Sequence, residues 1–149
     1  MSYTYKYPRP ALTTDCAVLR KEGKNLELLL IRRDRYPFEG MWALPGGFIE
    51  MDERLHKAAS RELEEETGLT GIRLFPFKTF DAIDRDPRGR TISFIFYGFL
   101  DKPSKEVKAA SDARDARWFN INELPELAFD HAEIIDKLLR KIRVENDEL

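Results

Sequence analysis

The chain has 149 residues, of which 42% are hydrophobic and 35% charged, with a net charge of −2. That is room for one domain with a real core and a soluble globular balance, and the weak charge argues against general nucleic-acid or membrane-surface binding while leaving a local basic site open. The single cysteine, Cys16, rules out a disulfide within the chain; with no signal-peptide core and no apolar run of bilayer length, it points to a reducing, cytoplasmic setting.

Residues 1–10 alternate Tyr3, Tyr5 and Tyr7 before Pro8 and Pro10, a short strand or an extended arm. Such an arm packs on the surface or, in the sharper reading, serves a dimer or a base-stacking site. Thr13 to Leu19 and Leu26 to Arg32 read as two strands around the polar turn Arg20–Asn25, together a hairpin. The second holds the unbroken apolar run Leu28-Leu29-Leu30-Ile31, expected where both faces of a strand are covered. Arg32, Arg33 and Arg35 then precede Tyr36-Pro37-Phe38-Glu39-Gly40-Met41-Trp42. Guanidinium forks suit phosphate oxygens and aromatic faces suit a nucleobase, so Arg33 and Trp42 are candidate substrate contacts; the alternative is a surface loop anchored by Trp42.

Next comes Gly46-Gly47 and a helix with Asp52 as the expected N-cap and Gly68 as the C-terminal stop. About four turns lie between them. On a helical wheel Glu62 and Glu66 stack one turn apart, Glu65 flanks Glu62, and Glu64 points away to solvent. Leu55, Ala58 and Ala59 share the side of the three glutamates, so the carboxylates end the face that packs on the domain. Like charges at this spacing repel, and partly buried carboxylates need compensation, which a hard cation such as Mg²⁺ or Mn²⁺ would give. Arg61 can reach its neighbours and hold a carboxylate in place. The alternative, a solvated acidic helix, explains neither the glycines nor charges on a packed side.

Residues Ile72 to Ile83 read as a long strand, followed by the turn Asp84-Arg85-Asp86-Pro87-Arg88-Gly89-Arg90 and a strong strand from Thr91 to Phe99. With three arginines the turn is a candidate anion site, Arg85 and Arg90 being the candidate substrate contacts, or else a hairpin tip with solvated charges. Residues 101–112 read as loop, Ala116 to Phe119 as a short strand, and residues 131–144 as an amphipathic helix with Asp130 and Glu133 in a capping-box pattern. His131 and His56 both read as surface residues.

Gly47, five residues, Glu53, seven residues, Arg61-Glu62-Leu63, one residue, Glu65-Glu66, one residue, Gly68-Leu69: this is nine positions at fixed spacing, and it resembles the Nudix box without departure. The resemblance implies an α/β chain with the Nudix α/β/α sandwich and mixed sheet, one domain over residues 1–149 with the arm at 1–10 and the box at 46–69. It implies metal-dependent hydrolysis of a nucleoside diphosphate linked to another group. Carried over by position, the Gly46 carbonyl, Glu62, Glu65 and Glu66 would hold the metal, Glu53 would orient water or serve as an ancillary ligand, and Arg61 would hold the glutamates. The general base stays open between a box glutamate and one from a distant loop, where Glu126 is a candidate.

Three further stretches resemble the ADP-ribose pyrophosphatase branch: residues 37–47, the turn 85–90, and Leu127-Ala128-Phe129-Asp130-His131. ADP-ribose would then be cut to AMP and ribose 5-phosphate, by a homodimer with no membrane or nucleic-acid partner. Two other readings remain: a pyrophosphohydrolase of oxidised nucleoside triphosphates, and a non-catalytic domain that senses ADP-ribose.

Overall fold

The computed structural model describes residues 2–101 and 113–147. Seven strands form one mixed sheet: β1 (Ala11–Glu22), β2 (Asn25–Arg33), β3 (Trp42–Ala43), β4 (Gly46–Phe48), β5 (Phe75–Phe80), β6 (Thr91–Phe99) and β7 (Ala113–Asn120). The path runs β3-β2-β1-β6-β5, while β4 pairs with β1 and β7 with β2. Among the described strands only β1 and β6 pair in parallel, from Ala11 opposite Thr91 to Leu19 opposite Phe99.

Two helices cover the two faces. α1 (Leu55–Thr67) follows β4, and α2 (His131–Asp147) follows β7. The alternation of β1 shows the layering, because successive strand side chains point to opposite faces. Cys16 and Val18 pack with Ala59 and Leu63 of α1. Ala17 and Leu19 pack with Ile134, Ile135, Leu138 and Leu139 of α2. In β2 Leu29 goes to the α1 side while Leu28 and Leu30 go to the α2 side, which is why that run is unbroken. The result is the α/β/α sandwich expected from the sequence.

The sheet opens where the site lies. β1 pairs with β2 only from Leu19 to Glu22, and with β4 from Thr13 to Asp15. The chain from Trp42 to Phe48 bridges the gap, with Ala43 opposite Ile31 of β2 and Gly46 opposite Asp15 of β1.

Several local expectations change. α1 starts after Arg54, in extended conformation and with no side-chain cap, rather than at Asp52; the nearby Glu53 carboxylate is taken by Arg61 and the Glu50 amide. Gly68 closes the helix at φ 78°, as expected of a left-handed stop. The strand expected from Ile72 to Ile83 shrinks to Phe75–Phe80, with a register shift after Pro76, a residue tolerated at a sheet edge. The tyrosine arm forms no strand, and Tyr3, Tyr5 and Tyr7 are exposed. Of the loop expected over 101–112, residues 102–112 lie outside the described residues.

Candidate active site

A cleft of about 320 Å³ opens between the splayed strands, within the usual range for small-molecule sites. One wall is α1, the floor is β1 and β6, and the other wall is the 84–90 loop with the start of α2.

On the α1 wall, Arg61 organises the carboxylates. Its Nε and Nη2 donate to the two oxygens of Glu53 at 2.9 and 2.6 Å. Its Nη1 donates to Glu62 at 2.9 Å and to Glu65 at 3.2 Å, and its Nη2 reaches the Phe48 carbonyl at 3.2 Å. Hydrogen bonds from Arg61 hold the Glu53 carboxyl down to about 2, against the cost of burial. The same bonds push Arg61 up. Glu66 is buried and accepts from the Gly46 amide at 2.6 Å. Glu64 is exposed, as its wheel position requires, and so is Glu65.

Both glycines are required by close approach. A Cβ at Gly46 would sit 2.2 Å from the Thr14 carbonyl oxygen and 2.2 Å from the Asp15 carboxylate. A Cβ at Gly47 would fall 2.7 Å from the carboxylate of Glu62. The loop thus lies directly against the two inward glutamates.

The α2 side is different. Arg85 is buried and donates from Nε and Nη2 to the two oxygens of Asp130, at 2.9 and 2.6 Å. Its Nη1 donates to Ser93 Oγ at 2.6 Å, and Ser93 also bonds Thr13. Asp130, expected to cap α2, therefore spends its carboxylate on Arg85. His131 is buried rather than on the surface: its Nδ1 accepts from the Leu44 amide at 3.0 Å, and burial pulls its pKa down to about 4. On the floor, burial pushes Asp15 up to about 7, opposed by Arg85 and reinforced by Asp130 and Glu62.

Of the residues singled out in the sequence, Gly46, Glu62, Glu66, Arg61, Arg33 and Arg85 line the cleft. Glu65 and Glu53 stand behind it, on Arg61. Trp42 lies on the far side of the sheet edge, ring to ring with Phe119 at 4.7 Å. Arg90 donates to the carbonyls of Asp81 and Ala82, outside the cleft. Glu126 lines a separate surface groove with Leu124 and Leu127. Asp15 is a lining residue that sequence reasoning missed; Arg88, Phe129 and His131 also line the cleft and lie in the marked stretches 85–90 and 127–131, although none was named there as a contact. Asp15 was findable, as a lone carboxylate inside the apolar run of β1.

A hard cation fits this donor set. Two mostly buried carboxylates, Glu62 and Glu66, lie against the glycine loop, and Glu62 shares Arg61 with Glu53 and Glu65. Among the described residues no three acidic or imidazole groups already form a cage, since Arg61 stands between Glu62 and Glu65 and Glu66 turns onto Gly46.

Known proteins bear on this geometry. The Nudix domain model matches residues 9–141. An ADP-ribose pyrophosphatase of Methanocaldococcus jannaschii is 43% identical over 134 residues, covering 90% of this chain and 76% of that protein. An ADPR-responsive transcriptional repressor of Acinetobacter baylyi is 29% identical over 140 residues, covering 91% of this chain but only 56% of its own length. A Shewanella oneidensis Nudix domain solved with ADP ribose superposes with a TM-score of 0.86 at 27% identity, covering 94% of each chain.

Proposed function

This chain belongs to the Nudix family, and from that premise we propose that it hydrolyses ADP-ribose to AMP and ribose 5-phosphate. The observation that carries the reading is the pairing, in one cleft, of a carboxylate wall at Gly46-Gly47 with an arginine wall across from it. A diphosphate needs both: positive groups for its oxygens, and a place where a divalent ion can join phosphate to carboxylate. The 43% identity to an ADP-ribose pyrophosphatase supports the choice of substrate within that class.

Nudix hydrolases generally use divalent metals. Here Glu62, Glu65, Glu66 and the Gly46 carbonyl would hold the ion, and Mg²⁺, replaceable by Mn²⁺, is our choice for hard oxygen donors. When bound, the ion polarises the phosphoryl group and makes water a better nucleophile. The protein does the rest. Arg61 fixes the orientation of Glu53, Glu62 and Glu65. Glu53 stays ionised through the working pH range because Arg61 holds it down, so it can orient water by accepting hydrogen bonds. The catalytic assignment is therefore Glu53, Arg61, Glu62 and Glu65. A single domain over residues 1–149, a homodimer and a cytoplasmic setting complete the proposal; the buried free thiol of Cys16 suits a reducing compartment.

The test is a panel with Mg²⁺ of ADP-ribose, NADH, diadenosine polyphosphates, 8-oxo-dGTP and a nucleotide sugar, read by product identity and kcat/KM. ADP-ribose giving AMP with the highest kcat/KM is expected. A triphosphate preferred over it overturns the substrate assignment. Binding of ADP-ribose without turnover of any compound favours a sensor, the role suggested by the repressor relative.

A further inference from the structure

Away from the cleft, α2 leaves part of its side of the sheet uncovered. The helix packs over Ala17, Leu19 and Ile95, and the sheet edge beyond it carries a run of rings. Phe75 of β5 stands opposite Tyr97 of β6, with their centroids 5.7 Å apart. Tyr97 is 6.3 Å from Phe99 and 6.4 Å from Phe77, which lies 6.4 Å from Phe80. Phe80 is buried, and Tyr97 and Phe77 are half-buried against the core. Phe75 and Phe99 are exposed. Adjoining exposed rings on one face differ from the singly scattered apolar side chains of an ordinary surface.

Cations surround these rings. The Arg73 guanidinium lies 5.0 Å from the centroid of Phe75, and the Lys78 ammonium 5.6 Å from that of Phe77. From α2, Lys137 reaches Phe80 and Lys141 reaches Tyr97, each at 5.6 Å. The two α2 lysines also pair with Glu133 and Glu145, one turn away on the helix. Arg73 and Lys78, by contrast, pair with no carboxylate among the described residues. The unmatched charge on this face is therefore positive, in a chain whose net charge is −2.

Exposed rings beside unmatched cations suit a flexible polyanion that carries flat apolar groups. Every nucleobase has a face that stacks on an aromatic ring, and lysine and arginine track the phosphates between bases. A duplex hides those base faces, so a single strand is the better fit. A second copy of this chain fits less well, because an isologous contact would crowd the same cations into one interface. An anionic lipid surface would match the charges but offers the rings nothing to stack on.

We infer that the edge formed by β5 and the end of β6 binds single-stranded nucleic acid, with bases stacked on Phe75 and Phe99 and phosphates held by Arg73, Lys78 and the lysines of α2. This is the local basic site that the weak net charge left open, and it runs against the expectation of no nucleic-acid partner. The surface is separate from the cleft. None of these side chains lines it, and Tyr97 is four residues along β6 from Ser93, which does, a distance of roughly 13 Å. The inference therefore stands or falls apart from the reading of the substrate.

The test is fluorescence anisotropy of a labelled single-stranded oligonucleotide of about 12 nucleotides, as RNA and as DNA, titrated with protein in EDTA at about 50 to 200 mM salt. Wild type, Phe75→Ala, Phe99→Ala and Lys78→Glu are compared. Wild type is expected to bind, and to bind more weakly as salt rises. Each phenylalanine variant should weaken binding by about tenfold, as the loss of one stacked base does. Lys78→Glu should weaken it too and flatten the salt dependence. Melting temperatures guard against a folding defect, and Lys78→Glu leaves every ring in place, so it tests the face even where a phenylalanine variant is unstable. Failure of the wild type to bind overturns the inference, as does wild-type affinity in folded Phe75→Ala and Phe99→Ala. Three other results also overturn it. Displacement of the strand by ADP-ribose would put it in the cleft. Equal affinity for the matching duplex, or binding only to vesicles of anionic lipid, would mean that the rings stack on no base. A shift of the protein alone from dimer to monomer in the phenylalanine variants, read by sedimentation, would mean that a second copy covers this face.

Discussion

The two walls of the cleft handle charge in opposite ways. On the α2 side the charges are matched: Arg85 takes both oxygens of Asp130, and Arg88 takes both of Asp86. On the α1 side one guanidinium, Arg61, lies within 4 Å of the carboxylates of Glu50, Glu53, Glu62 and Glu65, and Glu66 adds a further charge against the glycine loop. A matched pair that is mostly buried holds structure together; removing one member leaves the other uncompensated. An unmatched carboxylate cluster leaves negative charge that a cation could offset. The largest test of this difference is to neutralise one charge on the unmatched wall. Glu66→Gln or Glu65→Gln is expected to lower kcat/KM by at least about 100-fold in Mg²⁺, while the melting temperature of the metal-free protein stays level or rises, because a repelled charge has gone. A normal turnover rate in either variant refutes the metal assignment.

On the matched wall the order should invert. Arg85→Ala leaves Asp130 beside buried Asp15 without its guanidinium, and a loss of about 3–5 kcal/mol in unfolding free energy is expected from denaturant curves. If Arg85→Ala unfolds like wild type yet abolishes ADP-ribose binding, Arg85 contacts substrate directly, as its place in the sequence suggested, and the contrast between the walls fails.

The unequal legibility of the two walls has the same origin. The α1 wall is local: Glu53, Arg61, Glu62, Glu65 and Glu66 lie within 14 residues; helical spacing brings the last four together, and Glu53, just before the helix, joins them through Arg61. The hairpin and both faces of β2 were legible for the same reason, in periodicity and turn chemistry. The α2 wall depends on contacts between distant residues. Arg85 and Asp130 are 45 apart in the chain, and Leu44 and His131 are 87 apart. Nothing near His131 signals that a loop amide will bury its ring, so it read as a first-turn surface residue. β3 and β4, of two and three residues, are too short to carry a period. Trp42 read as a substrate contact because it adjoins arginines, but strand alternation turns it to the core side with Phe119.

His131 gives the matched wall a pH signature. Its pKa is pulled to about 4 by burial, below the usual 6.5 or so of an unfolded histidine. Below about pH 6.5 the unfolded chain takes up a proton that the folded chain refuses, so this contribution to stability is complete above 6.5 and is lost as pH falls towards 4. At roughly 1.4 kcal/mol per pKa unit, the loss is about 3 kcal/mol. Urea melts of wild type and His131→Asn between pH 4 and 7 measure it: the wild-type curve should fall more steeply with acid than that of the variant. Parallel curves would mean that the imidazole is not held neutral by the Leu44 amide.

The smallest perturbation probes the seam between the walls, where one added methyl group separates geometry from charge. At Gly46 a Cβ meets backbone, the Thr14 carbonyl, and the strand pair must shift. At Gly47 the nearest atoms it meets are those of the Glu62 carboxylate, the tip of a side chain that can swing away. Gly47→Ala should therefore fold with a cost of about 1 kcal/mol, at the mild end for overpacking, while Gly46→Ala costs more. In Gly47→Ala all charges remain, yet Glu62 is displaced from the place where Arg61 holds it. If activity depends on that geometry, kcat/KM falls by about 10–100-fold and more Mg²⁺ is needed for half-maximal rate, as for displaced partners of a metal ligand. If net negative charge on the wall is sufficient, Gly47→Ala keeps its rate and its Mg²⁺ dependence, and Arg61 is left with a purely structural part.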